Sequence, residues 1–148
     1  TINIGAIGHS QGAVGTINAT NKSGGLIKTA VPINLPDSRY IKPGEEFYVS
    51  QLTVPVFFVG GSSDRLISPP STLKGYYDQV PGAAALAVLK GATHSTIYNS
   101  GGGYLGYLTA WMMYQLRNDS YARSVFVGSP PEININGNWQ DQAEKNLL

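Results

Sequence analysis

Residues 1–12 have the sequence TINIGAIGHSQG, and this stretch decides the fold prediction. Its first seven residues are rich in isoleucine and small side chains, a pattern typical of a buried strand. The next five, Gly8–Gly12, match G-x-S-x-G, and Ala13–Ala19 is predicted to be a helix. In such a strand–turn–helix unit the two glycines are expected to let strand and helix approach closely, which leaves Ser10 exposed above the sheet edge as a nucleophile. The competing interpretation is a glycine-rich turn in which the serine is incidental.

The rest of the chain alternates predicted strands with predicted helices. Strands are predicted over Ile27–Ile33, Val54–Val59 and Ala84–Leu89, and helices over Ser71–Gln79 and Tyr104–Arg117. Alternation of this kind predicts an α/β fold, in which helices flank a parallel sheet. We expect a single domain over residues 1–148, with a polar loop at 36–51 and a peripheral, loop-like tail over residues 129–148. Within this tail, Trp139–Leu148 is predicted to be a short helix.

The last predicted helix, Tyr104–Arg117, has the clearest periodicity. Four of its apolar residues recur at helical spacing and are expected to form its buried face: Leu105, Leu108, Met112 and Leu116. A cluster of aromatic residues overlaps this segment, namely Tyr98, Tyr104, Tyr107 and Trp111. We interpret the cluster as packing of the helix, with Tyr98 as the member that lines a cleft.

Composition excludes several classes of function. The 148 residues are 42% apolar and 13% charged with a net charge of +1, which is globular and lacks the basic excess of a nucleic-acid-binding protein. There is no cysteine, hence no disulfide or thiolate ligand, and two histidines alone do not make a zinc site. The longest apolar run, Ala83–Leu89, is too short to span a membrane. The sequence therefore predicts no metal, no cofactor and no nucleic-acid partner.

A serine nucleophile needs a base and an acid that orients the base. Asp64 and His94 each follow a predicted strand, and they come after Ser10 in the order that G-x-S-x-G enzymes use. The carboxyl ends of parallel strands share one edge, so we predict that Ser10, His94 and Asp64 meet there. The N–H of Gln11 is expected to bind the oxyanion. Taken separately, His94 is also consistent with a surface histidine and Asp64 with a turn residue.

These motifs resemble the α/β-hydrolase superfamily, and more narrowly the group of cutinases, bacterial lipases and polyester hydrolases, with dienelactone hydrolases as neighbours. The resemblance covers residues 1–127 and rests on four segments: Gly8–Gly12, Val54–Asp64, Gly91–His94 and Tyr104–Asp119. It implies hydrolysis of carboxylic esters without a cofactor by a secreted enzyme. Two positions depart from that group. Gln11 stands where its polyester hydrolases usually have Met, and Ile33 follows Pro32 where they have an aromatic residue.

The resemblance begins at the strand that carries the nucleophile. It implies that the chain corresponds to the second half of such an enzyme, so the first strands and the second oxyanion donor are expected from a second chain or segment. The first strand of this half is then expected to form an exposed sheet edge.

Three functions remain open from the sequence. The first is a serine hydrolase that cleaves short-to-medium acyl esters, lipids or aliphatic polyesters. The second is a serine peptidase or acyltransferase with the same triad, and the third is a non-catalytic half-subunit that needs a partner chain. For an enzyme, the residues expected to contact substrate are His9, Ile33, Leu66, Ile67 and Tyr98.

Overall fold

A computed structural model describes residues 2–148 of the chain. These residues contain one five-stranded sheet in the order β1-β2-β3-β4-β5. The strands are β1 (Ile4–His9), β2 (Ile27–Ile33), β3 (Val56–Gly61), β4 (Ala84–Leu89) and β5 (Trp139–Lys145). The α-helices are α1 (Gln11–Lys22), α2 (Pro70–Gln79), α3 (Leu105–Arg117) and α4 (Ser120–Phe126). No helix of residues 2–148 is both long and apolar enough to cross a membrane.

The predicted α/β architecture is confirmed. Strands β1 to β4 pair in parallel, each beside the next one in the chain. The bounds of β2 and β4 agree with the sequence prediction. The first strand is shorter at its start than predicted and runs to His9, and Thr1 lies outside the described residues. Because parallel strands point the same way, the residues that follow them collect at one edge of the sheet.

The central strands β2, β3 and β4 are buried on both faces of the sheet. Phe57 and Phe58 are adjacent in β3, and their side chains enter different core clusters because successive residues of a strand point to opposite faces. Phe57 packs with Trp111 and Phe126, ring centroids 5.1 and 5.2 Å away, beneath α3 and α4. Phe58 lies in the second cluster, with residues of α1 and α2. This two-faced burial explains why β3 is apolar throughout.

Helix α3 forms as predicted, but it buries a different face. Leu105 is 56% exposed, whereas Leu108, Trp111 and Tyr114 are buried, together with Tyr104 just before the helix. These four residues share a face because they are spaced four, three and three residues apart. Aromatic rings remove more apolar surface from water than leucine does, so they determine which face turns inward. The interpretation of Tyr104, Tyr107 and Trp111 as helix packing is confirmed.

The prediction of a helix over Trp139–Leu148 is wrong. Residues 139–145 form β5, which pairs antiparallel with β4 and places Trp139 opposite Leu89. Trp139 is 4% exposed and packs against the rings of Tyr104 and Tyr107. Burial of this indole fixes the segment on the sheet, so the tail is part of the core and not a peripheral loop. The sequence prediction also missed α4, whose first turn is capped by Asp119 through its bond from the N–H of Ala122.

Strand β1 lies at the opposite edge of the sheet. It pairs with β2 on one side only, and among residues 2–148 no other strand pairs with it. Its residues Ile4 and Ile7 are 37% and 49% exposed. The first strand is therefore an exposed edge with apolar side chains, as expected.

Candidate active site

The turn between β1 and α1 holds Ser10 in a strained conformation. Ser10 has φ 58° and ψ −116°, a region that residues with a side chain rarely occupy. Its N–H donates to the carbonyl of Ile33 at 2.9 Å, which ties the turn to the end of β2. A Cβ atom on Gly8 would overlap the carbonyl oxygen of Gly12, so the close approach of strand and helix requires glycine at position 8. A Cβ on Gly12 would meet no atom, so the second glycine is not needed for this approach, contrary to expectation.

A chain of hydrogen bonds joins Ser10, His94 and Asp64. The Oγ atom of Ser10 lies 2.8 Å from Nε2 of His94, and Nδ1 of His94 lies 2.6 Å from Oδ2 of Asp64. A carboxylate only accepts hydrogen bonds, so Nδ1 carries the hydrogen and Nε2 presents its lone pair to the hydroxyl of Ser10. The structure thus brings together three residues that are far apart in the sequence, at the carboxyl ends of β1, β3 and β4.

The carboxylate of Asp64 lies inside the protein. Its side chain is 3% exposed, whereas that of His94 is 21% exposed. Besides the bond from His94, Asp64 accepts hydrogen bonds from the side-chain amide of Asn34 at 3.0 Å and from the N–H of Ser68 at 3.2 Å. A buried charge is tolerated only when donors surround it, and these three donors meet that requirement.

Sequence analysis did not identify Asn34, which is the residue best placed to fix Asp64. Asn34 directly follows β2, is 1% exposed and has φ 50°. Its NH₂ group faces Asp64 because its oxygen would be repelled there, and this leaves its Oδ1 atom buried without a hydrogen-bond partner among the described residues. The sequence did contain a signal that could have identified Asn34: it is a polar residue at the end of a predicted buried strand, on the same edge of the sheet as Ser10. Asparagine is also one of the few residue types that adopt this backbone conformation.

His9, predicted to contact substrate, lies between His94 and Tyr98. Its Nε2 atom is 2.7 Å from the carbonyl oxygen of His94, and its Nδ1 atom is 3.1 Å from the hydroxyl of Tyr98. Its ring centroid is 5.0 Å from each of the two neighbouring rings. Burial lowers the pKa of His9 below its usual value of 6.5. The carbonyl of His94 and the charge of Asp64 act in the opposite direction, and the ring of His94 acts in the same direction as burial. His9 is therefore neutral at pH 7.

The other residues expected to contact substrate differ in their exposure to solvent. Tyr98 and Leu66 are 72% and 74% exposed, near His94 and Asp64 respectively in the sequence, and Ile67 is half-buried. Ile33 is 3% exposed and packs in the core with residues of α3. The structure does not bring Ile33 to the surface, so we leave it out of the proposed substrate contacts.

Gln11 opens helix α1, and its main chain follows the strained turn. The N–H groups in the first turn of a helix have no acceptor within that helix and carry its positive dipole end. Its side chain points elsewhere, with the amide 3.4 Å from the carboxylate of Glu45. The backbone and the side chain of Gln11 are thus separate features, and only the N–H belongs to the turn at Ser10.

Comparison with models of protein families matches residues 1–145 to a family described as PETase, PET hydrolase-like. The chain belongs to this PET hydrolase-like family. The comparison with curated proteins found no match. Family membership confirms the resemblance to polyester hydrolases with the α/β-hydrolase fold. It makes the chain a hydrolase.

Among residues 2–148 of this PET hydrolase-like chain, no group of three or more His, Cys, Asp or Glu side chains is arranged to hold a metal ion. The polar groups that do converge at the sheet edge are those of Ser10, His94, Asp64 and Asn34, with His9 and Tyr98 beside them. This set supports proton transfer between side chains.

Proposed function

We propose that the chain is a serine ester hydrolase in which Ser10 is the nucleophile, His94 the general base and Asp64 the residue that orients the base. The hydrogen-bond chain from Ser10 through His94 to Asp64 is the single observation that carries this proposal. The positive φ of Ser10 at a strand-to-helix turn supports it, because that turn presents the hydroxyl above the edge of the sheet.

The proposed reaction runs in two halves. In the first, Ser10 Oγ attacks the ester carbonyl carbon while its proton passes to Nε2 of His94, and the tetrahedral intermediate then collapses. The alcohol leaves with the proton returned by His94, so an acyl-enzyme remains on Ser10. In the second half, water attacks the acyl carbon and gives a proton to His94. The second tetrahedral intermediate then collapses, His94 returns this proton to Oγ of Ser10, and the carboxylic acid leaves. Asp64 remains ionised and stabilises the imidazolium in both halves.

The oxyanion of each tetrahedral intermediate needs hydrogen-bond donors fixed in advance. The N–H of Gln11 is proposed as one such donor, because it follows the nucleophile and is free of any helical acceptor. Gln11 directly follows Ser10, so its N–H belongs to the same strained turn as the proposed nucleophile.

The proposed substrate is a carboxylic ester with short-to-medium acyl groups, including aliphatic polyesters. Membership of the PET hydrolase-like family supports a polyester. The exposed apolar side chain of Leu66 and the ring of Tyr98 supply surface on which a polymer segment can lie. Ile33 is buried and aliphatic, so it offers no ring for stacking on an aromatic polyester at this position.

A fluorophosphonate ester probe tests the proposal, because it labels only a serine that a base has activated. Intact mass should show one adduct on the wild-type protein and none on Ser10→Ala. Ser71→Ala removes an exposed serine of α2 and should label like the wild type. Hydrolysis of a soluble butyrate ester should fall by about 10⁴-fold or more in both Ser10→Ala and His94→Ala. Labelling of Ser10→Ala, or most activity surviving in either variant, would contradict the assignment.

A further inference from the structure

The ring of His9 connects the end of β1 to the loop that follows β4. His9 is the last residue of β1 and precedes Ser10, while His94 and Tyr98 belong to the segment after β4. One ring nitrogen contacts the carbonyl of His94 at 2.7 Å, and the other contacts the phenol of Tyr98 at 3.1 Å. The strand that carries Ser10 is therefore tied directly to the main chain of the residue that contacts its hydroxyl.

The chemistry of these two contacts fixes the hydrogen positions. A carbonyl oxygen only accepts, so Nε2 of His9 must carry the hydrogen that bonds to His94. In a neutral ring the remaining nitrogen, Nδ1, is then an acceptor, and the hydroxyl of Tyr98 is the donor that satisfies it. A ring with its hydrogen on Nδ1 would lose the bond to His94, because Nε2 would face the carbonyl lone pairs, and it would donate to the hydroxyl of Tyr98 instead of accepting from it.

Tyr98 is exposed over most of its surface, and its only described hydrogen bond from the hydroxyl goes to His9. The chain after it turns through Ser100 and Gly101, with φ 51° and 84°. The backbone–backbone hydrogen bonds of residues 93–102 stay within the loop that ends at Tyr104, so they do not tie it to the strand before Ser10. The two hydrogen bonds of His9 attach this segment to the residue that precedes Ser10.

We propose that His9 and Tyr98 are positioning residues, and that the bridge from Tyr98 through His9 to the main chain of His94 holds the base in register with Ser10. This role rests on the proposed function, since it matters only if His94 is the base. A displacement of the base by a fraction of an ångström lengthens the contact to Ser10 and slows proton transfer without changing how substrate binds. Loss of the bridge should therefore lower kcat and leave KM unchanged.

Tyr98→Phe is the first test, because it removes only the hydroxyl from an exposed side chain. We expect kcat for a soluble butyrate ester to fall roughly 5- to 10-fold, with KM within about twofold of the wild type. Tyr121→Phe, which removes the hydroxyl of an 84% exposed tyrosine on α4, is the matched control and should change neither constant. A raised KM with kcat unchanged would overturn the proposal, because it would mean that the hydroxyl of Tyr98 binds substrate and does not position the base.

Two variants of His9 separate the hydrogen bond from the bulk of the ring. The side-chain amide of His9→Gln can still donate to the carbonyl of His94, whereas His9→Leu cannot. We expect His9→Gln to keep a kcat several-fold higher than that of His9→Leu. Equal kcat values in the two variants would show that the donor at this position has no effect on the base.

Nitrogen NMR of the histidine rings tests the bridge without an activity assay. The chain has two histidines, so the ring nitrogens of a ¹⁵N-histidine sample are assigned by comparison with His9→Gln. In the wild type, His9 should be neutral with its hydrogen on Nε2, and Tyr98→Phe, which keeps the carbonyl acceptor, should keep this tautomer but shift the Nδ1 resonance because that atom loses its donor. Hydrogen on Nδ1 in the wild type would overturn the bridge even in an active enzyme. Absence of fluorophosphonate labelling with the Nε2 tautomer present would instead contradict the proposed function alone.

Discussion

The hydrogen-bond chain from Ser10 through His94 to Asp64 is held by different kinds of contact at Asp64 and at His94. Asp64 is 3% exposed and held by donors from Asn34 and Ser68, both fully buried. His94 is partly exposed and rests on a loop whose neighbour Tyr98 is 72% exposed. The acid is thus fixed by the core and the base by contacts near the surface. Substitutions at the acid end should change both stability and rate at neutral pH, whereas those at the base end should change rate at neutral pH and affect stability only as the pH falls.

The largest effect within this comparison is expected from Asp64→Asn. The asparagine would offer an N–H to Nδ1 of His94, so the ring would move its hydrogen to Nε2 and lose the lone pair that accepts the proton of Ser10. We expect kcat to fall by about 10³- to 10⁴-fold on a soluble ester. Asp78→Asn, at an exposed position on α2, is the control and should keep full activity. A loss of less than tenfold would mean that Asp64 does not set the tautomer.

Asn34 should give a smaller effect on rate and a measurable effect on stability. Asn34→Ala and Asn34→Gly both remove the donor to Asp64, and we expect kcat to fall about tenfold in each. Alanine keeps the strain of a φ of 50°, whereas glycine relieves it, so the free energy of unfolding in urea should be about 1–2 kcal/mol lower for Asn34→Ala than for Asn34→Gly. Loss of the unpaired Oδ1 atom offsets part of the destabilisation in both.

Asn146→Gly is the matched control for this pair. Asn146 has φ 54°, is exposed and lies at the end of β5, far along the sheet from Asp64. Its replacement should leave kcat unchanged. If Asn34→Gly were as active as Asn146→Gly, the acid would not depend on Asn34 and the contrast between the two ends would fail.

The smallest effect is expected in the pH dependence of stability, and it involves His9, which contacts His94. The pKa of His9 is lowered in the folded protein, chiefly by burial, with His94 and Asp64 as the nearby titratable groups. Below pH 6.5 the unfolded chain therefore binds a proton that the folded protein does not bind, and stability is lost as the pH falls through the folded pKa. Thermal midpoints measured from pH 7.5 to 4.5 should fall more steeply for the wild type than for His9→Gln. Parallel curves would contradict the lowered pKa, since His94 and Asp64 are present in both proteins.

The sequence predicted the parallel sheet and the meeting of Ser10, Asp64 and His94 for one reason. Apolar runs mark buried strands, and the ends of parallel strands share an edge whatever the details of packing. The role of Asn34 was missed because it depends on the burial of Asp64, which is a property of the folded core. Strand β5 was missed because its sequence, WQDQAEK, is polar and pairs with residues at least 50 positions away. Ile33 was wrongly predicted to contact substrate, because the side chain of a strand's last residue can point into the core and not towards the site at the edge of the sheet.

The φ of 58° at Ser10 also limits how this protein can be made more heat-resistant. Glycine is the residue that would relax the turn, and it has no hydroxyl, so the strain cannot be removed without removing the proposed nucleophile. Engineers who raise the melting temperature of such a hydrolase must therefore leave the turn alone and work in distant loops, where proline or shorter connections restrict the unfolded chain.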